Sequence, residues 1–321
     1  MNAAANANLF SRLFDGLADT GRLAIETMDG TRISYADLIA QSGRVANVIT
    51  SRGVKPGDRV AAQTEKSVEA LVLYLATVRA GAVYLPLNTA YTLNELEYFI
   101  GDAEPSLIVC DPSKADGIRA LAAKINANVD TLDADGKGSL SDGAAKAPSA
   151  FAAVPRAGDD LAAILYTSGT TGRSKGAMLT HDNLASNSHS LVDYWRFTKD
   201  DVLIHALPIY HTHGLFVASN VTLFARASMI FLPKLDPELI IKLMSRATVL
   251  MGVPTFYTRL LQSENLTKAS TSHMRLFISG SAPLLAETHR EWSARTGHAV
   301  LERYGMTETT MNTSNPYDGD R

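Results

Sequence analysis

The chain has 321 residues, of which 46% are hydrophobic and 20% are charged, and its formal net charge is -3. This is an ordinary soluble globular composition, and the length suffices for one large or two medium hydrophobic cores. The slight acidity argues against nucleic-acid binding, which needs a strongly basic face, and no apolar run approaches the roughly 20 residues that span a bilayer.

The N-terminus and the single cysteine both indicate a reducing compartment. The first residues lack a charged segment followed by a long apolar run, so we expect no secretory signal and a cytoplasmic protein. Cys110 has no second cysteine with which to form a disulfide, and it ends an apolar segment typical of a buried strand. We interpret it as a small core residue, and the alternative is a catalytic thiol.

The first 110 residues alternate between predicted strands and helices. Gly81 ends an Ala- and Leu-rich helix, and Thr92 with Glu95 forms a capping-box pattern at the start of another. The predicted strands are 23–27, 59–63, 82–85 and 106–110, and the predicted helices are an opening helix near residue 9, 34–51, 67–80 and 92–100.

The character of the sequence changes between residues 133 and 160. Asp, Gly, Ala, Ser and Pro dominate this stretch, which shows little apolar periodicity. Such a composition is typical of a linker or a loosely packed connection. It divides the chain into a first α/β lobe, residues 1–160, and a second α/β lobe, residues 161–321.

The second lobe alternates between strands and helices more regularly. Its predicted strands are 161–166, 202–207, 228–232, 248–253, 275–279 and 299–302, and its predicted helices are 180–194, 214–224, 237–246, a segment from Pro254, and 283–296. This alternation predicts an α/β fold with mostly parallel sheets flanked by helices on both faces. Ligand sites in such sheets lie at the carboxyl ends of the strands, so we expect a site there and in the cleft between the lobes.

A segment rich in glycine and hydroxyl residues, Tyr166 to Met178 (YTSGTTGRSKGAM), follows the first of these strands. Glycines let the backbone turn its N–H groups inward and small hydroxyls add donors, so the segment predicts a concave anion site with a nearby lysine. It is not the common P-loop, because Ser174 precedes Lys175 and Gly176 follows it. The alternative is a surface loop that binds nothing.

Two histidines, His211 and His213, lie in the segment LPIYHTHGL that follows the predicted strand 202–207. Zinc would require further ligands, and the sequence offers no nearby third one. The usual alternative for such residues is a structural histidine whose hydrogen bonds are satisfied.

Two later segments carry groups suited to a nucleotide. The strand, glycine turn and proline of SGSAPL (279–284) leave backbone groups exposed for a flat base, although a plain strand-to-helix turn is the alternative. In ERYGMTET (302–309), Tyr304 offers an aromatic face, Thr307 a hydroxyl for phosphate, and Glu308 a carboxylate. One glutamate suffices for Mg²⁺, which takes one or two carboxylates plus substrate phosphates.

These four segments, in this order, resemble the motifs of the adenylate-forming superfamily of acyl-CoA synthetases, aryl-CoA ligases, firefly-type luciferases and nonribosomal-peptide adenylation domains. The segment RAGAVYLPLN (79–88) looks like a weaker signature of the same superfamily. The resemblance implies that a carboxylate attacks the α-phosphate of ATP to form an acyl-adenylate and pyrophosphate, and that a thiol then attacks the activated carbonyl. The implied ligands are ATP, Mg²⁺ and, as co-substrate, coenzyme A.

The resemblance also implies roles for individual residues. Catalytic roles fall to His211, beside the substrate carboxylate, to Thr307, and to Glu308, which would bind Mg²⁺; His213 is left as a structural residue. The residues implied in ATP binding are Thr167, Ser168, Gly169, Thr170, Thr171, Gly172, Lys175, Gly280, Ser281, Ala282, Tyr304 and Thr307.

Within the superfamily, the stretches 210–214, 252–257 and 302–316 resemble malonyl-CoA synthetases, so malonate is the acid that the resemblance implies. A small dicarboxylate needs a fixed cation for its second carboxylate, and the bidentate fork of arginine suits that role. We expect Arg303 to supply this cation.

Two further residues, Thr212 and Met311, would bound a short acyl pocket beside Arg303. The alternative for Arg303 is a structural salt bridge with a neighbour such as Glu302 or Glu291.

The chain ends at Arg321, whereas members of the superfamily continue with an aspartate that binds the ATP ribose, a hinge, and a small C-terminal domain with a catalytic lysine. We therefore expect a fragment that binds nucleotide but needs that domain in cis to complete turnover. Two alternatives remain: a CoA ligase for another short-chain or aryl acid, and a non-catalytic nucleotide- or acyl-binding module. Neither a nucleic acid nor a membrane is an expected partner.

Overall fold

The computed structural model describes residues 6–167 and 173–319. The chain divides into two compact units. The first unit contains the N-terminal residues to Gly21, Tyr35–Ala185 and Ile209–His211, and the second contains Arg22–Ser34, Ser186–Pro208 and the residues from Thr212 onward.

Fourteen strands form within the described residues, and most lie within two residues of their predicted bounds. In chain order they are β1 Leu23–Thr27, β2 Arg32–Ser34, β3 Arg59–Gln63, β4 Val83–Pro86, β5 Leu107–Cys110, β6 Asn128–Thr131, β7 Leu161–Thr167, β8 Lys175–Thr180, β9 Val202–His205, β10 Ser228–Phe231, β11 Val249–Gly252, β12 Leu276–Ser279, β13 Val300–Met306 and β14 Thr310–Ser314.

Eleven α-helices accompany these strands in the same described residues. In chain order they are α1 Leu9–Phe14, α2 Tyr35–Ser51, α3 Val68–Arg79, α4 Leu93–Ala103, α5 Ala115–Ala122, α6 Ser139–Lys146, α7 His181–Tyr194, α8 Asn220–Phe224, α9 Pro237–Leu243, α10 Pro254–Leu260 and α11 Ala286–Thr296. None of the helices in residues 6–167 and 173–319 has both the length and the apolar character that a membrane crossing requires.

The first unit is built on a six-stranded sheet with the order β6-β5-β3-β4-β7-β8. Its strands pair in parallel except for β7 and β8, which form an antiparallel hairpin at one edge. The inner strands are almost continuously apolar, as expected for strands covered on both faces. Helix α3 is buried along nearly its whole length, and the Ser67 hydroxyl caps its N-terminus by accepting a hydrogen bond from Ala70 N at 3.1 Å.

The second unit is built on an eight-stranded sheet with the order β14-β13-β12-β11-β9-β10-β1-β2. The six inner strands are parallel, and an antiparallel strand lies at each edge. The α/β class and the mostly parallel sheets flanked by helices are therefore confirmed.

The membership of the two sheets differs from the predicted division of the chain at residue 160. Strand β7, predicted to open the second lobe, pairs with β4 in the first sheet through Tyr84 and Ala163. Strand β1, predicted in the first lobe, pairs with β10 in the second sheet. These pairings join strands that are far apart in the chain, and local sequence patterns carry no information about them.

The segment predicted to be a linker or a loosely packed connection, residues 133–160, contains one helix and is bonded to earlier parts of the first unit. Helix α6 lies within it and packs against α2. The Asn47 amide donates to Pro148 O at 2.9 Å, and the Arg79 guanidinium donates to Phe151 O at 2.5 Å. The donors lie 72 or more residues earlier in the chain. The composition of the segment alone could therefore not reveal these contacts.

Two of the three edge hairpins in the described residues, β7–β8 and β13–β14, were also missed by the sequence prediction. Residues 175–180 were read as the end of a loop, yet they form β8 and pair with β7. The strand predicted over 299–302 extends to Met306 and pairs with β14. Neither β8 (KGAMLT) nor β14 (TMNTS) is a continuous apolar run, so the pairing with a neighbouring strand defines each of them.

Two predicted helices begin differently in the structure. The helix predicted from Pro283 begins at Ala286. The helix predicted over 214–224 begins with a π-helix, His213–Ser219, whose Gly214 carbonyl accepts a hydrogen bond from Ser219 Oγ at 3.0 Å. A side chain at Gly214 would lie 2.0 Å from Pro208 O, so the backbone here passes too closely for any other residue. Such π-helical turns often occur near functional sites.

Candidate active site

The predicted phosphate-binding segment connects β7 to β8 in the first unit. Thr167, the last residue of β7, pairs with Lys175, the first residue of β8, so both lie at the base of the connection. Lys175 is exposed. The other residues predicted to bind ATP in this segment lie outside the described residues: Ser168, Gly169, Thr170, Thr171 and Gly172. The described part of the hairpin thus brings one threonine and one lysine to the same end of a sheet.

His211, also in the first unit, follows β9 in the chain. The residue is exposed, and its ring stands beside that of Tyr210 with centroids 4.5 Å apart. Desolvation by the surrounding protein lowers the pKa of His211 below its ordinary value of 6.5. The imidazole is therefore mostly neutral at pH 7, which suits a hydrogen-bonding role beside a carboxylate.

In the second unit, four of the predicted residues surround one pocket of about 390 Å³. Ser281 and Ala282 contribute from the turn after β12, and Arg303 and Tyr304 contribute from β13. Tyr304 is 55% exposed and lines this pocket. A half-exposed aromatic ring beside exposed backbone groups is suited to stacking on a flat base.

Two backbone features shape this pocket. Ser281 adopts a left-handed conformation with φ of +70°, which is uncommon for a residue other than glycine. The preceding Gly280 passes so close to Arg303 that a Cβ at this position would lie 2.3 Å from the guanidinium carbon. The turn at 279–282, predicted to hold a base, thus also forms one wall of the space around the arginine.

Arg303 is buried, with only 6% of its surface exposed. Its Nη2 donates to Ser281 Oγ at 3.4 Å, whereas its Nε has no hydrogen-bond partner among residues 6–167 and 173–319. Burial lowers the pKa of the guanidinium to about 10, so the group remains charged at neutral pH.

The structural salt bridge considered as an alternative for Arg303 does not form in the described part of the chain. Neither Glu302 nor Glu291 pairs with Arg303 there, and Glu302 Oε1 instead accepts a hydrogen bond from Leu284 N at 2.9 Å. The pocket therefore contains a buried cation whose countercharge the described residues do not supply.

Thr212 and Met311, predicted to bound the acyl pocket, are both buried in the second unit. The Thr212 hydroxyl has no hydrogen-bond partner within the described residues. The Met311 side chain packs over Gly305, where a Cβ would lie 2.6 Å from the methionine methyl carbon, and Gly305 lines the pocket beside Arg303. His213, left as structural in the sequence, has its Nδ1 3.4 Å from Ser281 Oγ.

Thr307 and Glu308 lie in the turn between β13 and β14 and do not line the pocket around Arg303. Glu308 is exposed and makes no ion pair in the part of the chain that the structure describes. No cluster of three or more His, Cys, Asp or Glu residues able to hold a metal occurs among these described residues. Glu308 thus offers one exposed carboxylate, and one or two carboxylates are what Mg²⁺ takes from a protein when phosphates supply its other ligands.

One residue of the site gave no signal in the sequence. Asn187, on the second turn of α7, donates to Met311 O at 2.8 Å, and its side-chain oxygen accepts from Met311 N at 3.4 Å. This two-way contact positions β14 and hence Met311. An asparagine on a polar helix face looks like a solvated residue, and only the tertiary contact reveals its role.

A family model described as AMP-binding enzyme matches residues 18–321. The malonate–CoA ligase ACSF3, mitochondrial, of Bos taurus is 34% identical over 322 residues, which are 94% of this chain and 54% of the relative. The malonate–CoA ligase of Arabidopsis thaliana is 32% identical over 346 residues, with 94% and 55% covered.

The crystal structure of ATP-bound MatB from Rhodopseudomonas palustris superposes with a TM-score of 0.97 at 79% identity, covering 98% of this chain and 63% of that one. A benzoate CoA ligase from Burkholderia xenovorans LB400 shares the fold with a TM-score of 0.85 at 23% identity, covering 96% of this chain and 63% of that one. The chain thus spans about half the length of the curated relatives and 63% of these solved chains.

Proposed function

Because this chain belongs to the AMP-binding enzyme family, we propose that it acts in an ATP-dependent acid–thiol ligase whose acid is malonate. The proposed reaction converts malonate, ATP and coenzyme A into malonyl-CoA, AMP and pyrophosphate. The observation that carries the choice of acid is the buried, charged Arg303 guanidinium, whose Nε lacks a partner in the described residues. The relatives named malonate–CoA ligase support the same choice.

The energetics of Arg303 favour an anionic ligand. A buried charge without a partner is costly, whereas a carboxylate that forms charge-assisted hydrogen bonds to it offsets much of that cost. Malonate carries a second carboxylate that takes no part in the chemistry and can serve as this partner. The buried Thr212 hydroxyl and the Met311 side chain would limit the length of the acyl group.

In the proposed reaction, one carboxylate oxygen of malonate attacks the α-phosphorus of ATP, and the bond from that phosphorus to the β-bridging oxygen breaks. Tyr304 and the turn at 280–282 would hold the adenine, and Thr167, Lys175 and Thr307 the phosphates. His211 would donate a hydrogen bond to the reacting carboxylate. Mg²⁺, held by Glu308 and the phosphates, would neutralise charge that develops on the leaving pyrophosphate.

The second half of the reaction forms the thioester. The thiol of coenzyme A gives up its proton to solvent, its sulfur attacks the carbonyl carbon of the malonyl-adenylate, the acyl–phosphate bond breaks, and AMP leaves with the bonding electrons. The contribution of the protein is positioning and charge neutralisation.

The test measures pyrophosphate release with ATP, Mg²⁺ and malonate, methylmalonate, acetate, butyrate or benzoate. The chain is assayed alone and fused to the C-terminal portion of the Rhodopseudomonas palustris relative. Malonate-dependent release by the fusion supports the proposal. Release with monocarboxylates only would indicate a ligase for another short-chain or aryl acid, and ATP binding without release from either protein would indicate a binding module.

The Arg303→Met variant of the fusion tests the role of the guanidinium. Loss of one charge-assisted hydrogen bond, about 2 kcal/mol, should raise the KM for malonate by about 30-fold. Because the variant removes an unpaired buried charge, its free energy of unfolding should rise by about 1–2 kcal/mol. Arg290→Met, at an exposed position on α11, is the matched control and should change neither quantity. A loss of stability in Arg303→Met with unchanged malonate KM would identify Arg303 as a structural residue.

A further inference from the structure

Helix α4 is a firmly anchored element beside the phosphate-binding hairpin in the first unit. Its apolar face, Leu96, Phe99 and Ile100, is buried in a core formed with strands β3, β4 and β5. Its N-terminus is closed by a capping box, in which Thr92 N donates to the Glu95 carboxylate at 2.8 Å. A helix held in this way can serve as a fixed support for neighbouring segments.

The first stem of the hairpin, β7, is bound to α4 near its carboxyl end. The Tyr166 hydroxyl donates to Asp102 Oδ2 at 2.5 Å, and the Tyr166 ring packs on Phe99 with centroids 4.5 Å apart. Burial, together with the Asp102 carboxylate, raises the pKa of Tyr166, so its phenol stays protonated and remains a donor. The last residues of β7 are therefore fixed by one strong hydrogen bond and one ring contact.

The second stem is bound to the same helix just where the strand pairing ends. The last pair of the hairpin is Thr167 with Lys175, so Ser174 lies outside the ladder. Its carbonyl oxygen accepts a hydrogen bond from the Tyr98 hydroxyl at 2.7 Å. The guanidinium of the neighbouring Arg173 lies 5.9 Å from the centroid of the Tyr98 ring, within the range of a cation–π contact.

We infer that Tyr98 and Asp102 of α4 are positioning residues for the triphosphate of the nucleotide, because they hold the two stems from which the phosphate-binding segment extends. Being four positions apart, the two residues project from one face of α4. This inference rests on the proposed function, in which the segment between the stems binds ATP. It concerns residues that do not themselves touch the nucleotide.

The physical reason is the cost of ordering. A backbone anion site binds tightly only when its N–H groups already point at the ligand, and each segment that must be ordered on binding lowers the affinity. Two hydrogen bonds from a fixed helix confine the ends of the segment before ATP arrives. Removing one neutral hydrogen bond should weaken ATP binding by about three- to tenfold.

The first experiment compares the binding of ATP and AMP to the chain by isothermal titration calorimetry. In Tyr98→Phe the ring and its contact with Arg173 remain, and only the hydroxyl bonded to Ser174 O is lost. The Kd for ATP should rise by about three- to tenfold, while the Kd for AMP should stay within about twofold of the wild type. The matched control is Tyr194→Phe in the second unit, whose exposed hydroxyl is 3.4 Å from Ser314 O and whose loss should change neither Kd.

The second experiment uses a pair of variants at Asp102. Both Asp102→Asn and Asp102→Ala remove the negative charge, but only asparagine keeps an oxygen that can accept from Tyr166. ATP should therefore bind Asp102→Ala about three- to tenfold more weakly than Asp102→Asn. Combining Asp102→Ala with Tyr166→Phe should give no further loss, since both changes remove the same hydrogen bond.

The outcomes separate this inference from the proposed function. If the wild-type chain shows no preference for ATP over AMP, the proposed phosphate-binding segment is wrong. If the wild type prefers ATP but Tyr98→Phe and Asp102→Ala leave that preference unchanged, the positioning role is wrong while the proposed function stands. An equal loss of ATP and AMP binding in these variants would also overturn the inference, because it would indicate a general loss of structure.

Discussion

Each unit places predicted site residues on an antiparallel hairpin at the edge of a mostly parallel sheet. The β7–β8 hairpin carries Thr167 and Lys175, and the β13–β14 hairpin carries Tyr304, Glu308 and Met311. The two hairpins reach their geometry differently. Both are supported by side chains of a separate helix, α4 for the first and α7, through Asn187, for the second, but only the second also combines close backbone packing with an unusual backbone angle.

The second hairpin shows three such features. Its register shifts between Tyr304 and Gly305, and Gly305 packs directly against Thr310 O. Thr310 itself has a φ of +57°, a conformation that β-branched residues rarely adopt. Backbone strain of this kind persists only where the surroundings enforce it, and it is often found at functional sites. The comparison teaches that side-chain hydrogen bonds from a neighbouring helix can position a site in both regions, and that backbone geometry adds a second constraint in one of them.

The largest expected effect comes from adding a methyl group to Gly305 of the second hairpin. In Gly305→Ala the new Cβ would lie 2.0 Å from Thr310 O, a backbone atom that cannot move without disrupting the pairing. We expect a loss of about 3 kcal/mol or more in the free energy of unfolding, as for severe overpacking. Urea unfolding followed by tryptophan fluorescence measures it, because Trp195 and Trp292 both lie in the second unit.

Gly176→Ala in the first hairpin is the matched control. Its Cβ would meet Ile164 Cγ2 at 2.9 Å, a milder contact than 2.0 Å to a backbone oxygen. Far-UV circular dichroism should then show a smaller loss in the free energy of unfolding, about 1–2 kcal/mol. Equal losses in the free energy of unfolding for Gly305→Ala and Gly176→Ala would show that backbone packing is no tighter in the second hairpin than in the first.

An intermediate effect is expected from pH at the end of the first hairpin. His181 directly follows β8, is fully buried, and accepts a hydrogen bond from Leu9 N at 3.0 Å. Burial, the main cause, and the nearby Arg156 lower its pKa from 6.5 to about 4. Since the unfolded chain takes up the proton first, this residue should remove about 3 kcal/mol of stability as the pH falls from 6.5 to 4, and nothing above 6.5.

The His181→Asn variant isolates this contribution, because the asparagine oxygen takes the place of Nδ1 and can still accept from Leu9 N, but it does not titrate. The wild type should lose more stability than the variant between pH 6.5 and 4, measured by urea unfolding at a series of pH values. The β13–β14 hairpin contains no histidine, and Arg303 on it keeps its charge throughout this range. If the free energies of unfolding of the two proteins fall in parallel between pH 6.5 and 4, His181 does not titrate as its burial predicts.

The smallest effect is expected from relieving the strain at Thr310. Asparagine tolerates a left-handed backbone better than a β-branched residue does, so Thr310→Asn should stabilise the chain by about 1 kcal/mol. Glu104→Asn, at the left-handed C-cap of α4 with a φ of +43°, is the control and should gain less because glutamate is unbranched. Differential scanning calorimetry compares both with the wild type, and a destabilised Thr310→Asn would show that Thr310 is not strained.

The sequence predicted most elements of both sheets, because their strands are continuous apolar runs and their helices carry clear caps. Helix α4 illustrates this, since Thr92 and Glu95 form the capping box that the pattern indicates. The strands that were missed, β6, β8 and β14, are interrupted by polar residues or glycine and lack a continuous apolar run. Arg303 was singled out from its sequence context, yet its burial and the absence of an ion pair within the described residues emerged only from the structure.

The sequence by itself determined the family, the α/β class and the order of the motifs, because each of these is encoded in short stretches of residues. The tertiary structure decided which sheet each strand joins, since β1 and β7 pair with strands distant in the chain. It also decided what supports the motifs: Tyr98 and Asp102 beneath one hairpin, and Asn187 beside the other. These supporting contacts depend on the packing of helices from elsewhere in the chain, and no local pattern encodes that packing.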